Sequence, residues 1–311
     1  MKERKYVMRT KIARPLAALV LAAATVAAVH SPAFADTTTT LSFSAHQDDD
    51  LLFMNPDIAS DVEAGYNVWV TYLTAGEIPC ESHDPCGMDY ADSRVQGERA
   101  AYAETAGVPN SWTYEEMWFG GHPVAVNHLD GTNVHLVFTY IHAAAGPEDN
   151  CGDLFRMLHD DSYEARPIDY RPAYTKDSFV GMLRSIIDYV QPDYLRTQST
   201  LGHRERRGDG VADNVDHVAG AILAADADVD GAGNTWIRRD EYQGYVITDY
   251  PDNVGGYWRD RKQQIWNAYK PFDYQISPWS WDNVMGKQYR PEGRIFWPGI
   301  PWVPPGDFNA C

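Results

Sequence analysis

Basic charge is what this chain of 311 residues has least of: 26 Lys and Arg stand against 44 Asp and Glu, a formal net charge of −18. Six of the basic residues crowd into the first 14 positions, so the part after residue 35 holds 20 basic and 43 acidic side chains, net −23. A surface that acidic repels phosphate backbones and anionic lipid heads, which argues against nucleic acid and membrane surfaces as partners and favours a neutral or cationic ligand. Beyond residue 35 no apolar run approaches the ~20 residues a bilayer span needs, and neither an internal repeat nor a low-complexity linker is visible. Cysteine is scarce too, with only Cys80, Cys86, Cys151 and Cys311.

The first 35 residues stand apart. Lys2, Arg4, Lys5, Arg9, Lys11 and Arg14 precede an apolar stretch from Leu16 to Val29, and Ala33-Phe34-Ala35 forms a small-x-small cleavage site. That is the pattern of a secretory signal peptide over residues 1–35, and it predicts a secreted, extracellular product. All four cysteines follow it, where thiols oxidise, so two disulfides are expected. Proximity pairs Cys80 with Cys86, which leaves Cys151 for Cys311. Cys80, His83 and Cys86 as metal ligands would need reduced thiols and lack a clear fourth ligand.

Strand-like and helix-like segments alternate along residues 36–277. Thr39 to Ala45, Asn67 to Leu73, Val134 to Ile141, Tyr194 to Gln198 and Tyr242 to Thr248 read as strands. Asp50 to Ala64, Ser93 to Thr105, Lys176 to Val190, Asp216 to Ala225 and Tyr257 to Tyr269 read as helices. The rhythm predicts one α/β domain with a mainly parallel, Rossmann-like sheet and helices on both faces, with ligands at the carboxyl ends of the strands. Residues 278–311 are rich in Trp and Pro and are expected to form an irregular C-terminal extension packed on that domain.

The stretch FSAHQDDDLLFMNPDI, residues 43–58, places His46, Asp48, Asp49 and Asp50 where the first strand stops. Three residues apart on a strand-to-helix turn, His46 and Asp49 can aim at one cation, with Asp48 beside it. Catalytic zinc usually takes three protein ligands and an open position. The best third ligand is His217, in GDGVADNVDHVAG, residues 208–220. Two imidazole nitrogens and one carboxylate suit zinc better than calcium or magnesium, which prefer oxygen shells.

AHQDDD before an apolar helix, a distant DNVDHVAG, TAGE after the second strand and SRVQGERAAYAETAGV at residues 93–108 together resemble the PIG-L/LmbE-like family of metal-dependent N-acetyl-sugar deacetylases. The resemblance implies an LmbE-type fold, one Zn2+ per chain held by His46, Asp49 and His217, Asp48 as general base and Arg94 as a substrate contact. It implies hydrolysis of an N-acetylated sugar or glycan to acetate and a free amine, with zinc polarising the acetamide carbonyl and lowering the pKa of its water toward about 7. Two positions depart from the family pattern. Gln47 replaces a proline, which should loosen the turn. Asn214 stands where the family has the first histidine of H-x-D-H; an amide can donate to an oxyanion but cannot shuttle a proton. The leaving amine would then take its proton from Asp48, Asp213 or His203.

Several residues have plainer readings. Asp50 is expected to cap a helix, and Asp216 to orient a ligand histidine or cap its own helix. Arg94 and Glu98, four apart, suit a surface ion pair equally well. DADVDG at 226–231 starts like a calcium loop, but position 12 is Ile237. The tryptophans could meet a sugar or close the core. Two other functions compete with deacetylation: hydrolysis of a different amide bond on the same metal site, and sugar binding by a catalytically weak relative.

Overall fold

A computed structural model describes residues 37–291 apart from 81–83, 145–150, 211, 231–236 and 277–280. The expected signal peptide, the Cys151–Cys311 pairing, His83 and the tail beyond 291 involve residues outside that set, as does the side chain of His203.

Seven strands form one sheet in the order β3-β4-β5-β2-β1-β6-β7. β1 (Thr39–Ser44), β2 (Asn67–Tyr72), β5 (Val134–Phe138), β6 (Tyr194–Gln198) and β7 (Arg238–Tyr242) run parallel, while β3 (Trp112–Phe119) and β4 (His122–Leu129) add an antiparallel hairpin at one edge. Alternate residues along β2 and just past its end sort to opposite faces: Val68, Val70 and Tyr72 join one core, Trp69 and Leu73 the other. The first core is covered by α1 (Asp57–Glu63), α2 (Gly87–Ala106) and α6 (Tyr257–Tyr269), the second by α3 (Gly152–His159), α4 (Lys176–Val190) and α5 (Val215–Asp230). From β1 the chain builds outward through β2 to β5, then crosses to the other side for β6 and β7. β1 and β6 therefore flank the point where the winding reverses, where such sheets open a crevice.

The expected elements survive with four corrections, and α3 is a further helix that the sequence reading did not foresee. The helix foreseen from Asp50 to Ala64 is broken: Pro56 has no N–H to donate, so a wide turn over Asp50–Met54 closes by Asn55 N–H to Asp50 O (2.9 Å) before α1 begins. α2 starts at Gly87, six residues before Ser93. The last strand is Arg238–Tyr242, and Tyr245–Asp249 forms a 3-10 turn. Arg238 to Glu241 look too charged for a strand, but β7 is an edge whose charges find partners: Arg239 with Asp228, and Asp240 with Arg238 and Arg290. The β3–β4 hairpin was not foreseen, because β3 is exposed along most of its length and shows no apolar alternation. Its turn, Gly120-Gly121, has φ of +55° and +85°, as a tight hairpin requires.

Candidate metal and catalytic site

β1 ends in a loop braced by its neighbours: Ala45 N donates to Gln198 Oε1 (2.9 Å) and Thr74 N to Ala45 O (3.0 Å). There His46, Asp49 and His217 come together, all buried, with one ligand atom of each within 4.8 Å of the others. Asp49 sits between the rings. Its Oδ2 accepts from His46 N (2.9 Å) and lies 3.0 Å from His46 Nδ1, while Oδ1 lies 3.0 Å from His217 Nε2. Two further carboxylates orient the rings from behind: Asp216 Oδ2 meets His46 Nε2 (3.1 Å) and Asp213 Oδ1 meets His217 Nδ1 (2.9 Å). Asp213 and His217 are one helical turn apart, a spacing visible in the sequence.

These charges set the ionisation of the metal-free site. Burial by itself pulls His46 down, but Asp49 and Asp216 outweigh it and leave the ring pushed up to about 9. Burial opposes His217 likewise, and Asp49 with Asp213 holds it well above the usual imidazole range. Asp49 would be raised by burial, yet the His217 and His46 rings keep it well below the usual carboxylate range. His217 Nε2, though close to Asp49 Oδ1, has no aligned hydrogen-bond partner among the described residues. A buried imidazole nitrogen, a second imidazole and a carboxylate around one point form a donor set that fits a zinc-like cation.

Asp48 adopts φ +112°, a left-handed conformation rare for a residue with a Cβ. Arg94 holds it there, with Nη2 2.8 Å from Asp48 Oδ1, and Leu52 N donates to Asp48 O at 2.8 Å. All three guanidinium nitrogens have protein partners: Nε meets Tyr269 OH (2.9 Å) and Asp273 Oδ2 (3.0 Å), Nη1 meets Gly76 O (2.8 Å), and Nη2 also bonds Gln47 O. Arg94 is thus neither a surface residue nor paired with Glu98. Burial pushes the Asp48 carboxyl up to about 8; Arg94 pulls it back, while Asp49 and Asp273 add to the rise.

Gln47 does not loosen the turn. It is fully buried, its Nε2 donates to Thr74 O (3.3 Å), and its carbonyl accepts from Tyr269 OH (3.0 Å). Gly76, at φ +59°, leaves the room that Gln47 and Arg94 fill. Asp50 does not cap a helix either. It is buried beneath the site, where Oδ2 accepts from Tyr102 (2.6 Å) and faces Tyr72 OH (3.2 Å), whose nearer partner is buried Glu98 (2.8 Å). Burial pushes Asp50 up to about 7 and Glu98 well above the usual carboxylate range.

A cleft of about 270 Å³ opens over His46 and Asp48, lined also by Arg94, Asn214, Tyr245 and Trp281. Asn214 Oδ1 accepts from Asp216 N (2.8 Å) at the start of α5, so this side chain has only its amide N–H groups to offer the cleft. Trp281 stacks on Tyr245 (5.4 Å between ring centroids, 19° between planes), and Tyr245 stands against His217 (5.1 Å). The described start of the C-terminal segment thus closes one wall. Sequence reasoning missed Asp273, Tyr269 and Tyr245 as parts of the site, because none lies in a motif and each arrives from a distant element.

Among solved structures the chain is similar to N,N'-diacetylchitobiose deacetylase from Pyrococcus horikoshii (14% identity, 79% of this chain and 75% of that one, TM-score 0.46). It is similar to a deacetylase of the teicoplanin biosynthesis pathway in complex with teicoplanin (16% identity, 78% and 90%, TM-score 0.43). It is also similar to 4-carboxy-2-hydroxymuconate hydratase from Pseudomonas putida (14% identity, 80% and 83%, TM-score 0.46). At these identities the likeness says nothing about the substrate. No curated protein matches the sequence. Residues 41–227 match the family described as PIG-L, GlcNAc-PI de-N-acetylase. That match covers more than half of the chain and spans the first histidine–aspartate motif and the distant histidine alike, so the chain belongs to the PIG-L family of N-deacetylases.

Proposed function

We propose that this protein is a secreted, zinc-dependent hydrolase that removes the acetyl group from an N-acetylated amino sugar or glycan. The observation that carries the reading is the convergence of His46, Asp49 and His217 beside Asp48, at the end of β1 and beneath a cleft that His46 and Asp48 line. His46, Asp49 and His217 would hold the metal, which when bound supplies Lewis-acid polarisation of the acetamide carbonyl and a more acidic water. Asp48 takes a proton from the attacking water and returns it to the departing amine. Arg94 keeps that carboxylate in its strained position; to meet a substrate directly it would have to release a protein partner. The Asn214 amide donates a hydrogen bond to the developing oxyanion. Export is supported by the leader-like first 35 residues and by the Cys80–Cys86 disulfide.

The test is metal analysis of the purified protein together with an acetate-release screen over N-acetylated glycans. One zinc per chain and acetate release abolished by His46→Ala and by Asp48→Ala are expected. Metal-dependent turnover of a non-acetyl amide with no acetate, or sugar affinity with no product at any pH, would overturn it.

A further inference from the structure

The cleft over His46 does not end at the metal site. A second cavity of about 630 Å³ shares Glu77, Ile78 and Ala143 with it, and a third of about 370 Å³ shares Tyr170 with the second. Pockets that enclose a whole drug-sized ligand run from about 300 to 1,000 Å³, so the first cleft suits a single ring while the second has room for another. Glu77 stands on the partition: Oε1 meets His142 Nδ1 (2.7 Å) and Oε2 accepts from Ala143 N (3.1 Å).

The Tyr170 side chain packs against almost nothing among the described residues. It is 97% exposed, and its backbone φ is +65°, which is costly for a bulky side chain. The loop carrying it is tied down. Ala165 and Tyr174 exchange two backbone bonds of 2.8 Å at its base, Ile168 N donates to Tyr140 O (2.8 Å), and Tyr170 N donates to Pro167 O (3.1 Å). Arg171 bonds Asp169 and reaches Tyr114 OH on β3 (2.9 Å). A braced loop therefore holds an aromatic ring in a strained backbone on the rim shared by two cavities, and buries almost nothing by doing so.

We propose that the second cavity is a binding subsite for a further sugar of a glycan chain, with the Tyr170 ring as its stacking face, so that the enzyme prefers oligosaccharides to a monosaccharide. This rests on the sugar-deacetylase reading above. A pyranose ring offers an apolar face to the tyrosine and hydroxyls to Glu77, His142 and Arg166, which supply acceptors and donors. A lipid tail would be poorly served by those polar groups, and a polyanion would meet the acidic surface.

Two measurements on the full chain test it: acetate release from N-acetylglucosamine and its β-1,4-linked oligomers of two to four units, and calorimetric binding of the same sugars to an Asp48→Asn variant. Affinity and kcat/KM are expected to rise about tenfold from one unit to three. Tyr170→Ala should remove five- to tenfold of that gain, on the order of an aromatic contact, and leave the monosaccharide rate unchanged; Tyr170→Trp should keep the gain. A flat dependence on chain length, equal loss on monomer and oligomers, or a Tyr170-dependent gain produced by an octyl glycoside rather than a second sugar would overturn the subsite. If oligomers bind in a Tyr170-dependent way but no acetate is released, the subsite stands and the deacetylase reading fails.

Discussion

Replacing Arg94 by Met is the sharpest probe of how the site is held. The guanidinium is buried and lies within 3.0 Å of two carboxylates, Asp48 and Asp273, which are themselves largely shielded from solvent. Methionine fills much of the volume and supplies no charge, so both acids are left buried without a counter-ion. Removing one partner of a buried pair costs about 3–5 kcal/mol, far more than the near-zero net worth of the intact pair against an apolar replacement. At roughly 2–4 °C per kcal/mol for a domain of this size, the melting temperature should fall by about 6–20 °C. Adding Asp273→Asn to Arg94→Met removes one stranded charge and should recover part of the loss; Asp273→Asn alone should cost less than Arg94→Met. Urea and thermal unfolding of the parent, both single variants and the double variant complete the cycle. An Arg94→Met protein within about 1 kcal/mol of the parent, or a double variant that is strictly additive, would refute the reasoning.

Asp49→Asn should lower bound metal to a small fraction of the parent's, whereas Asp48→Asn should keep the metal and lose about 10²–10⁴-fold in kcat; metal analysis beside acetate assays separates the two. Asn214→His removes the acceptor for Asp216 N–H and should cost about 1 kcal/mol by unfolding assays. If the missing histidine limits turnover, that variant is nonetheless faster than the parent near neutral pH, and an unchanged or slower rate counts against the assignment. His135, stacked on Trp69 (4.1 Å between centroids) and on His128 (4.6 Å), is pushed down from 6.5 to about 4 by burial and by the His128 charge. A depressed folded-state pKa means that stability present above pH 6.5 is lost as pH falls toward 4. Allowing for the partial exposure of the ring, His135→Phe should flatten this part of the stability profile by about 1–2 kcal/mol relative to the parent, read by chemical unfolding at several pH values.

The sequence by itself determined the class of fold and picked out the three side chains, His46, Asp49 and His217, that the structure brings together as a possible metal site. Alternating patterns and turn residues are local signals, which is why α4, β6 and α6 fall where periodicity and Pro192 put them. A histidine and an aspartate three residues apart at a strand end are likewise close by local geometry, and the motif around His217 points to the third member of the group. Tertiary structure decided what surrounds them. Arg94 reads as a surface or substrate-facing residue until Asp273 and Tyr269 arrive from the far end of α6 to enclose it, and Asp50 reads as a cap until Tyr72 and Tyr102 close over it. β3 escapes pattern reading because an edge strand is half-solvated and its side chains need not alternate, and β7 because its buried positions hold charges such as Arg239 and Asp240 that are paired by distant partners. Burial and charge neutralisation are set by partners distant in the chain, and no local pattern records which partners those will be.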